Sequence, residues 1–210
     1  MEHTDSKHRH VFQSTEPRHA TPEQEHEDYN PAVFIKNLVV DVAVACALAA
    51  LLLYFVRPTI VKQSSMEDTL HENDYMIMSK HAYDKHNPER GDIIIFQSTL
   101  PGEEAGDPDK LLIKRVVGLP GDEISIVDNQ LYINGAHYRE EYIKDGYTPA
   151  HEIPKDGESY KVPEGTYFVL GDNRAGSVDS RSADVGCIRK DLIQGKVVLR
   201  LFPFNRIRTF

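Results

Sequence analysis

A serine hydroxyl attacks a carbonyl carbon only when a neighbouring group removes its proton. Residues 63–70, QSSMEDTL, offer such a serine in Ser65, shortly after the only long apolar run of the chain. A base stands in residues 111–117, LLIKRVV, an apolar strand pattern that carries Lys114 and Arg115. Strand alternation puts Leu112, Lys114 and Val116 on one face and Ile113, Arg115 and Val117 on the other. Lys114 therefore has apolar neighbours. Burial disfavours an ammonium, so its pKa should fall, which suits it to accept a proton near neutral pH. An edge-strand lysine that guards against aggregation would leave the same local pattern. A third polar string, residues 171–181 (GDNRAGSVDSR), brings Asp172, Arg174, Ser177, Asp179 and Arg181 into one loop.

The elements that must position these groups read mainly as short strands. Pro58 ends the apolar segment, and residues 59–62 form an extended approach to Ser65. Period-two patterns mark strands at 75–78, 91–97, 111–117, 123–127, 131–133, 166–170 and 193–202. Turn chemistry joins them: Pro120-Gly121 before Asp122, residues 128–130, and the hairpin pair Asn134-Gly135. Residues 100–110, with Pro, Gly and four acids, read as a loop. Residues 139–161 are polar and tyrosine-rich, an insertion that sets substrate fit.

Ahead of the strands, residues 33–56 (VFIKNLVVDVAVACALAALLLYFV) are long enough to cross a bilayer, with Asp41 the one charge from Leu38 onward. The run is too long, and its polar leader too extended, for a cleaved export signal. Asp41 lies close enough to the entry side to reach headgroup water. Lys36 flanks one end and Arg57 and Lys62 the other, so charge balance leaves the orientation open. The first 30 residues are polar and predicted to be disordered; their histidines show no metal-ligand spacing. Over 210 residues the chain is 40% hydrophobic and 27% charged, a globular balance that allows one core. Its net charge of −9 and lack of a Lys/Arg cluster exclude a nucleic-acid-binding surface. Cys46 lies in the apolar run and Cys187 far downstream, so both are expected as free thiols.

With SMEDTL, IKRVVGLPGD and GDNRAGSVDSR in that order behind one N-terminal span, the chain resembles the bacterial type I signal peptidases, serine proteases with a serine-lysine dyad. The resemblance runs from about Ala43 to the C-terminus. It implies a mainly β fold: an N-terminal transmembrane helix followed by an antiparallel β-sheet catalytic domain of the signal peptidase type. Residues 1–32 would then be a disordered cytoplasmic tail, 33–57 the transmembrane anchor, and 58–210 an extracytoplasmic catalytic domain with its insertion at about 139–161. It implies Ser65 as nucleophile, Lys114 as general base, Ser177 as the serine that orients the lysine, and Arg115, Asp172 and Arg181 as a salt-bridged support. Met66 and Val61 would line shallow pockets for small side chains. One oxyanion donor would be the Ser65 N–H and the other a group at Gln63, where a serine or glycine is expected. Two departures stand out: Asp68 occupies a position that is usually proline in the family, and Ser64 one that is often glycine.

The implied reaction removes the signal peptide from an exported preprotein, without metal or cofactor, in a single-pass protein of the cell membrane. Partners are the preprotein, the lipid bilayer and, further, the translocation machinery. Three rivals are weaker. A self-cleaving serine-lysine protease of the stress-repressor type would carry a DNA-binding segment rather than a span. A Ser-His-Asp hydrolase would need His71 or His137, neither of which lies in a motif. A silent binder of signal peptides would not need Ser65, Lys114 and Ser177 together.

Overall fold

The computed structural model describes residues 30–98, 100, 110–143 and 146–210. Residues 1–29 of the expected disordered tail and most of the acidic loop at 100–110 lie outside the described residues, and residues 31 and 32, expected in that tail, are helical. Asn30 opens the first element: its Oδ1 accepts from the backbone N–H of Ala32 at 3.1 Å, and Pro31 takes the first helical position, where no N–H is needed. The helix α1 runs Pro31–Phe55 with every residue exposed. With 25 residues and a mean hydropathy of 2.5 over its most apolar 18, it is long and apolar enough to cross a membrane. By contact clustering the chain divides into Met1–Val44 and Ala45–Phe210.

Strand β1 (Val56–Ile60) follows without a break, so residues 56 and 57, expected in the span, are strand instead. They pair with Ser79 and Met78. Pro58 sits within β1, at the edge of its sheet, where a missing N–H costs no ladder bond on the open side. The remaining strands are β2 (Tyr75–Ser79), β3 (Ile93–Gln97), β4 (Leu111–Gly118), β5 (Glu123–Val127), β6 (Gln130–Ile133), β7 (Ala136–His137), β8 (Ser159–Lys161), β9 (Thr166–Leu170), β10 (Ile188–Arg189), β11 (Ile193–Phe202) and β12 (Arg208–Thr209). The larger sheet has the order β1-β2-β11-β3-β4-β9-β10, with β12 also on β11; the smaller is β7-β6-β5-β8. All the pairings are antiparallel. The mainly β fold behind one apolar helix is the one the sequence implied.

Alternation explains the layers. Ile93 and Ile95 of β3 join Val61, Met66, Met76, Met78 and Val197 in one core, while Ile94 and Phe96 join Leu112, Val116 and Val169 on the opposite face. A third cluster joins the sheets: Val117, Phe168 and Leu170 from the larger pack with Ile124, Ile126, Leu131 and Ile133 from the smaller. Gly118 allows that approach, because a Cβ there would meet Phe168 Cβ at 2.9 Å. The β5–β6 turn at Asp128 and Asn129 and the following turn at Asn134 and Gly135 all have positive φ, the two-residue geometry that matches strand twist. The stretch expected as an insertion supplies β8, the edge of the smaller sheet.

Candidate active site

The loop that carries Ser65 is closed at its neck, where Val61 N donates to Asp74 O (3.0 Å) and Asn73 N donates to Val61 O (2.9 Å). Between these ends lies one turn of 3₁₀ helix, Ser64–Met66, anchored by the buried Met66 in the first core. Ser65 is 9% exposed, and its Oγ lies 2.6 Å from Nζ of Lys114, itself 1% exposed. Two residues 49 apart in sequence are therefore in direct hydrogen-bond contact. Burial pushes the Lys114 pKa down to about 8; the Asp179 carboxylate pulls it partly back up, Arg181 pushes it down, and Asp172 raises it. A lysine in this state becomes able to accept a proton from the serine hydroxyl as the pH rises through about 8.

Behind the pair stand two buried ion pairs. Arg115 forks onto Asp172 (Nε to Oδ1 2.9 Å, Nη2 to Oδ2 2.6 Å). Arg181 forks onto Asp179 (Nε to Oδ1 2.8 Å, Nη2 to Oδ2 2.9 Å). The expected common support of Arg115, Asp172 and Arg181 is thus divided, because each planar guanidinium takes one carboxylate of its own. Burial works against the Asp179 carboxylate, but the hydrogen bonds and charge of Arg181 outweigh it and hold its pKa below the usual range. Asn173 ties this loop to the Ser65 turn: its N–H donates to Ser65 O (3.1 Å) and its Nδ2 to Ser64 O (3.2 Å).

Ser177 does not bond Lys114 here. Its Oγ is buried and lies near the Asp179 carboxylate, which it helps to hold ionised. A Cβ added at Gly171 would collide with both Ser177 Oγ and the Ser65 carbonyl, which sets how tightly these segments meet. Gln63 is exposed and its side chain caps nothing. It lines, with Val61, Ser65, Met66, Ile95 and Ile113, a cleft of about 700 Å³. One wall of the cleft is β1, whose outer edge has no partner strand among the described residues, and the other is residues 111–114 of β4, which pair only with β3. His71 is engaged by Arg206 and His137 by Gln130, so neither serves Ser65 as a base.

Several contributors carried no sequence signal. Arg115 stacks over the Tyr142 ring (4.0 Å), whose hydroxyl donates to Glu140 (2.6 Å), and Glu140 in turn pairs with Arg174. Tyr142 and Glu140 belong to the stretch that read as a polar, tyrosine-rich insertion, whereas Arg115 and Arg174 stood in quoted motifs. Asn173 lay inside a quoted motif but only its contacts reveal its role. Asp68 has φ +77° and follows Glu67 at φ −56°, ψ 150°. With Thr69 N bonded to Met66 O at 3.0 Å, residues 66–69 form a type II turn. Proline, fixed near φ −65°, does not fit there. Asp68 is therefore a constrained position, not a loosened one.

The chain is similar to known proteins over most of its length. The profile of the family described as "Signal peptidase, peptidase S26" matches residues 35–202. "Signal peptidase I P" of Bacillus subtilis subsp. natto is 36% identical over 182 residues, covering 82% of this chain and 94% of the relative. "Signal peptidase I" of Bacillus licheniformis is 35% identical, covering 83% and 90%. The crystal structure of a signal peptidase I from Enterococcus faecalis V583 is 32% identical over 52% of this chain and 96% of that one, with a TM-score of 0.40.

Proposed function

The chain belongs to the signal peptidase family, peptidase S26, and from that premise we propose that it is a membrane-anchored serine endopeptidase in which Ser65 is the nucleophile and Lys114 the general base. The observation that carries this reading is the 2.6 Å contact between a buried, pKa-lowered lysine and a serine hydroxyl.

In the proposed reaction neutral Lys114 Nζ takes the Ser65 proton as Oγ attacks the scissile carbonyl. The ammonium so formed protonates the departing amine, which leaves with the mature protein as its new N-terminus. Lys114, neutral again, takes a proton from water as the hydroxide attacks the acyl ester; on collapse the ammonium returns that proton to the departing Ser65 Oγ, releasing the signal peptide and restoring both residues. The Ser65 N–H and a group at Gln63 serve the oxyanion. Ser177 Oγ, buried beside the Asp179 carboxylate, turns to the ammonium as Ser65 becomes acylated. Arg115, Asp172 and Arg181 hold the frame.

An extended precursor segment lies in the cleft between the open edge of β1 and residues 111–114, where main-chain groups can pair with it. Val61 and Met66 leave shallow room, which suits small side chains before the cut. Helix α1 serves as the anchor, with the N-terminal tail in the cytoplasm and the catalytic domain outside. Held in the same bilayer as the apolar part of its substrate, the serine meets the cleavage site at raised effective concentration. The test is cleavage of a precursor by the detergent-solubilised chain, with the cut located by mass spectrometry. One cut after a small residue, absent in folded Ser65→Ala and Lys114→Ala, supports the reading; binding without cleavage by all three identifies a silent binder.

A further inference from the structure

The turn that carries Ser65 is fastened at a second point, away from the motifs. Residues 66–69 start from Met66, the neighbour of Ser65, and end on Thr69, which is 4% exposed. Two arginines from different strands hold Thr69. Arg115 of β4 donates through Nη2 to its Oγ1 (3.3 Å), and Arg200 of β11 donates through Nη1 to its carbonyl oxygen (2.7 Å). Arg200 is itself fixed: it is 7% exposed, and its Nε donates to Arg206 O (2.7 Å). Nη1 also lies 3.3 Å from Oδ2 of Asp74, a carboxylate that is 1% exposed. Asp74 closes the same loop, accepting from His71 N (3.0 Å) and from Arg206 Nη2 (3.2 Å).

The positive φ of Asp68 turns the chain so that Thr69 meets both guanidinium groups. Asn173 grips the leading side of the turn through the Ser64 and Ser65 carbonyls. The nucleophile thus sits between two attachments, one in front through Asn173 and one behind through Thr69. Arg200 lies 131 residues along the chain from the carbonyl it holds.

We propose that Arg200 is a positioning residue for the nucleophile: through the Thr69 carbonyl it fixes the turn that sets Ser65 Oγ against Lys114 Nζ. The inference rests on the reading of Ser65 as nucleophile. Misplacement of a reacting group by about 1 Å costs on the order of a hundredfold in rate. Loss of Arg200 leaves Thr69 held by Arg115 alone of the two arginines, a partial loosening that permits a smaller drift, and a fall in kcat of about ten- to a hundredfold follows. KM should stay within about twofold, because Arg200 is not among the residues that line the cleft. The pH midpoint should also hold, since the charges acting on Lys114 are Asp179, Arg181 and Asp172.

The experiment measures kcat, KM and the pH profile of full-length, detergent-solubilised Arg200→Met and Arg200→Lys on a precursor protein, well below each variant's Tm, with Ser65→Ala beside them. In Arg200→Met, Asp74 keeps Arg206 as its partner. Arg200→Lys retains the charge with a single donor head and should show an intermediate kcat, about three- to tenfold down. A residue that only supported the fold would lower Tm and leave the kcat of the folded enzyme unchanged. Reduced kcat at constant KM and constant pH midpoint, partly rescued by lysine, supports the proposal. Wild-type kcat in Arg200→Met overturns it, as does a loss confined to KM or a moved midpoint. If Arg200→Met does not fold, Arg200→Lys decides, and an unchanged kcat there overturns it. Activity in Ser65→Ala would instead sink the reading of the site, whereas an inactive Ser65→Ala beside a normal Arg200→Met sinks this inference alone.

Discussion

Replacing Lys114 by methionine should abolish cleavage and, at neutral pH, make the protein more stable. Burial lowers this lysine from 10.5 to about 8. The unfolded chain therefore holds the proton up to about pH 10.5 and the folded chain only to about pH 8. Below pH 8 both states carry it, and the folded state bears the full cost of a desolvated ammonium. At about 1.4 kcal/mol per pKa unit, that cost is about 3 kcal/mol. Between these pH values the unfolded state binds more protons, so wild-type stability rises with pH as the penalty is released. Methionine fills similar space without charge, and the lost hydrogen bond to Ser65 takes back about 1 kcal/mol. The expected net gain for Lys114→Met is about 2 kcal/mol at pH 6 to 7, shrinking to nothing or reversing by about pH 10. Denaturant unfolding of the solubilised chain at several pH values, with wild type in parallel, measures it. A variant less stable than wild type at pH 7, or a difference that does not change with pH, would refute the assignment of a buried, pKa-lowered Lys114.

Other outcomes follow from particular contacts. Asp68→Pro should destabilise by about 2 kcal/mol or more and reduce activity, because φ +77° is closed to proline. Asp68→Gly, which adopts that angle freely, should stay within about 1 kcal/mol of wild type and remain active, as thermal melts and precursor cleavage would show. Gly171→Ala should cut activity by about a hundredfold or more, since its methyl would displace Ser177 and the Ser65 carbonyl; a wild-type rate would contradict the close approach described. Gly118→Ala should cost about 1 to 3 kcal/mol in unfolding experiments and spare kcat, because its clash is with Phe168, Ile124 and Val162 in the core between the sheets.

Where local pattern and tertiary environment agree, the sequence was informative. Period-two alternation located β3, β4, β5, β9 and β11, and Asn134-Gly135 announced its turn, because these signals are local. Alternation around Lys114 also foretold burial, hence the direction of its pKa. What depended on partners was hidden. Strand β1 runs through Pro58, and nothing local tells an edge strand from an extended linker until β2 pairs with it. Strands β8, β10 and β12 have two or three residues, too few for periodicity. The matching of Arg115 with Asp172 and of Arg181 with Asp179 is set by which guanidinium reaches which carboxylate. Arg200, Glu140 and Tyr142 lie outside any motif, and only the fold brings them to the frame of the site. The left-handed turn at Asp68 is not legible either, since aspartate adopts either sign of φ and only the folded backbone selects the positive one.

The claim at the centre of this account is that a neutral Lys114 takes the proton of Ser65. The pH dependence of kcat/KM for precursor cleavage tests it most directly, measured from pH 6 to 10 on the solubilised enzyme. With Lys114 at about 8, the rate should climb tenfold per pH unit from acid and level off near pH 8. At pH 7 about one molecule in ten holds the lysine neutral, on the order of 300 times the fraction expected for an ordinary exposed lysine. A rate flat across the range, or a plateau reached near pH 6.5 as for a histidine base, would contradict it.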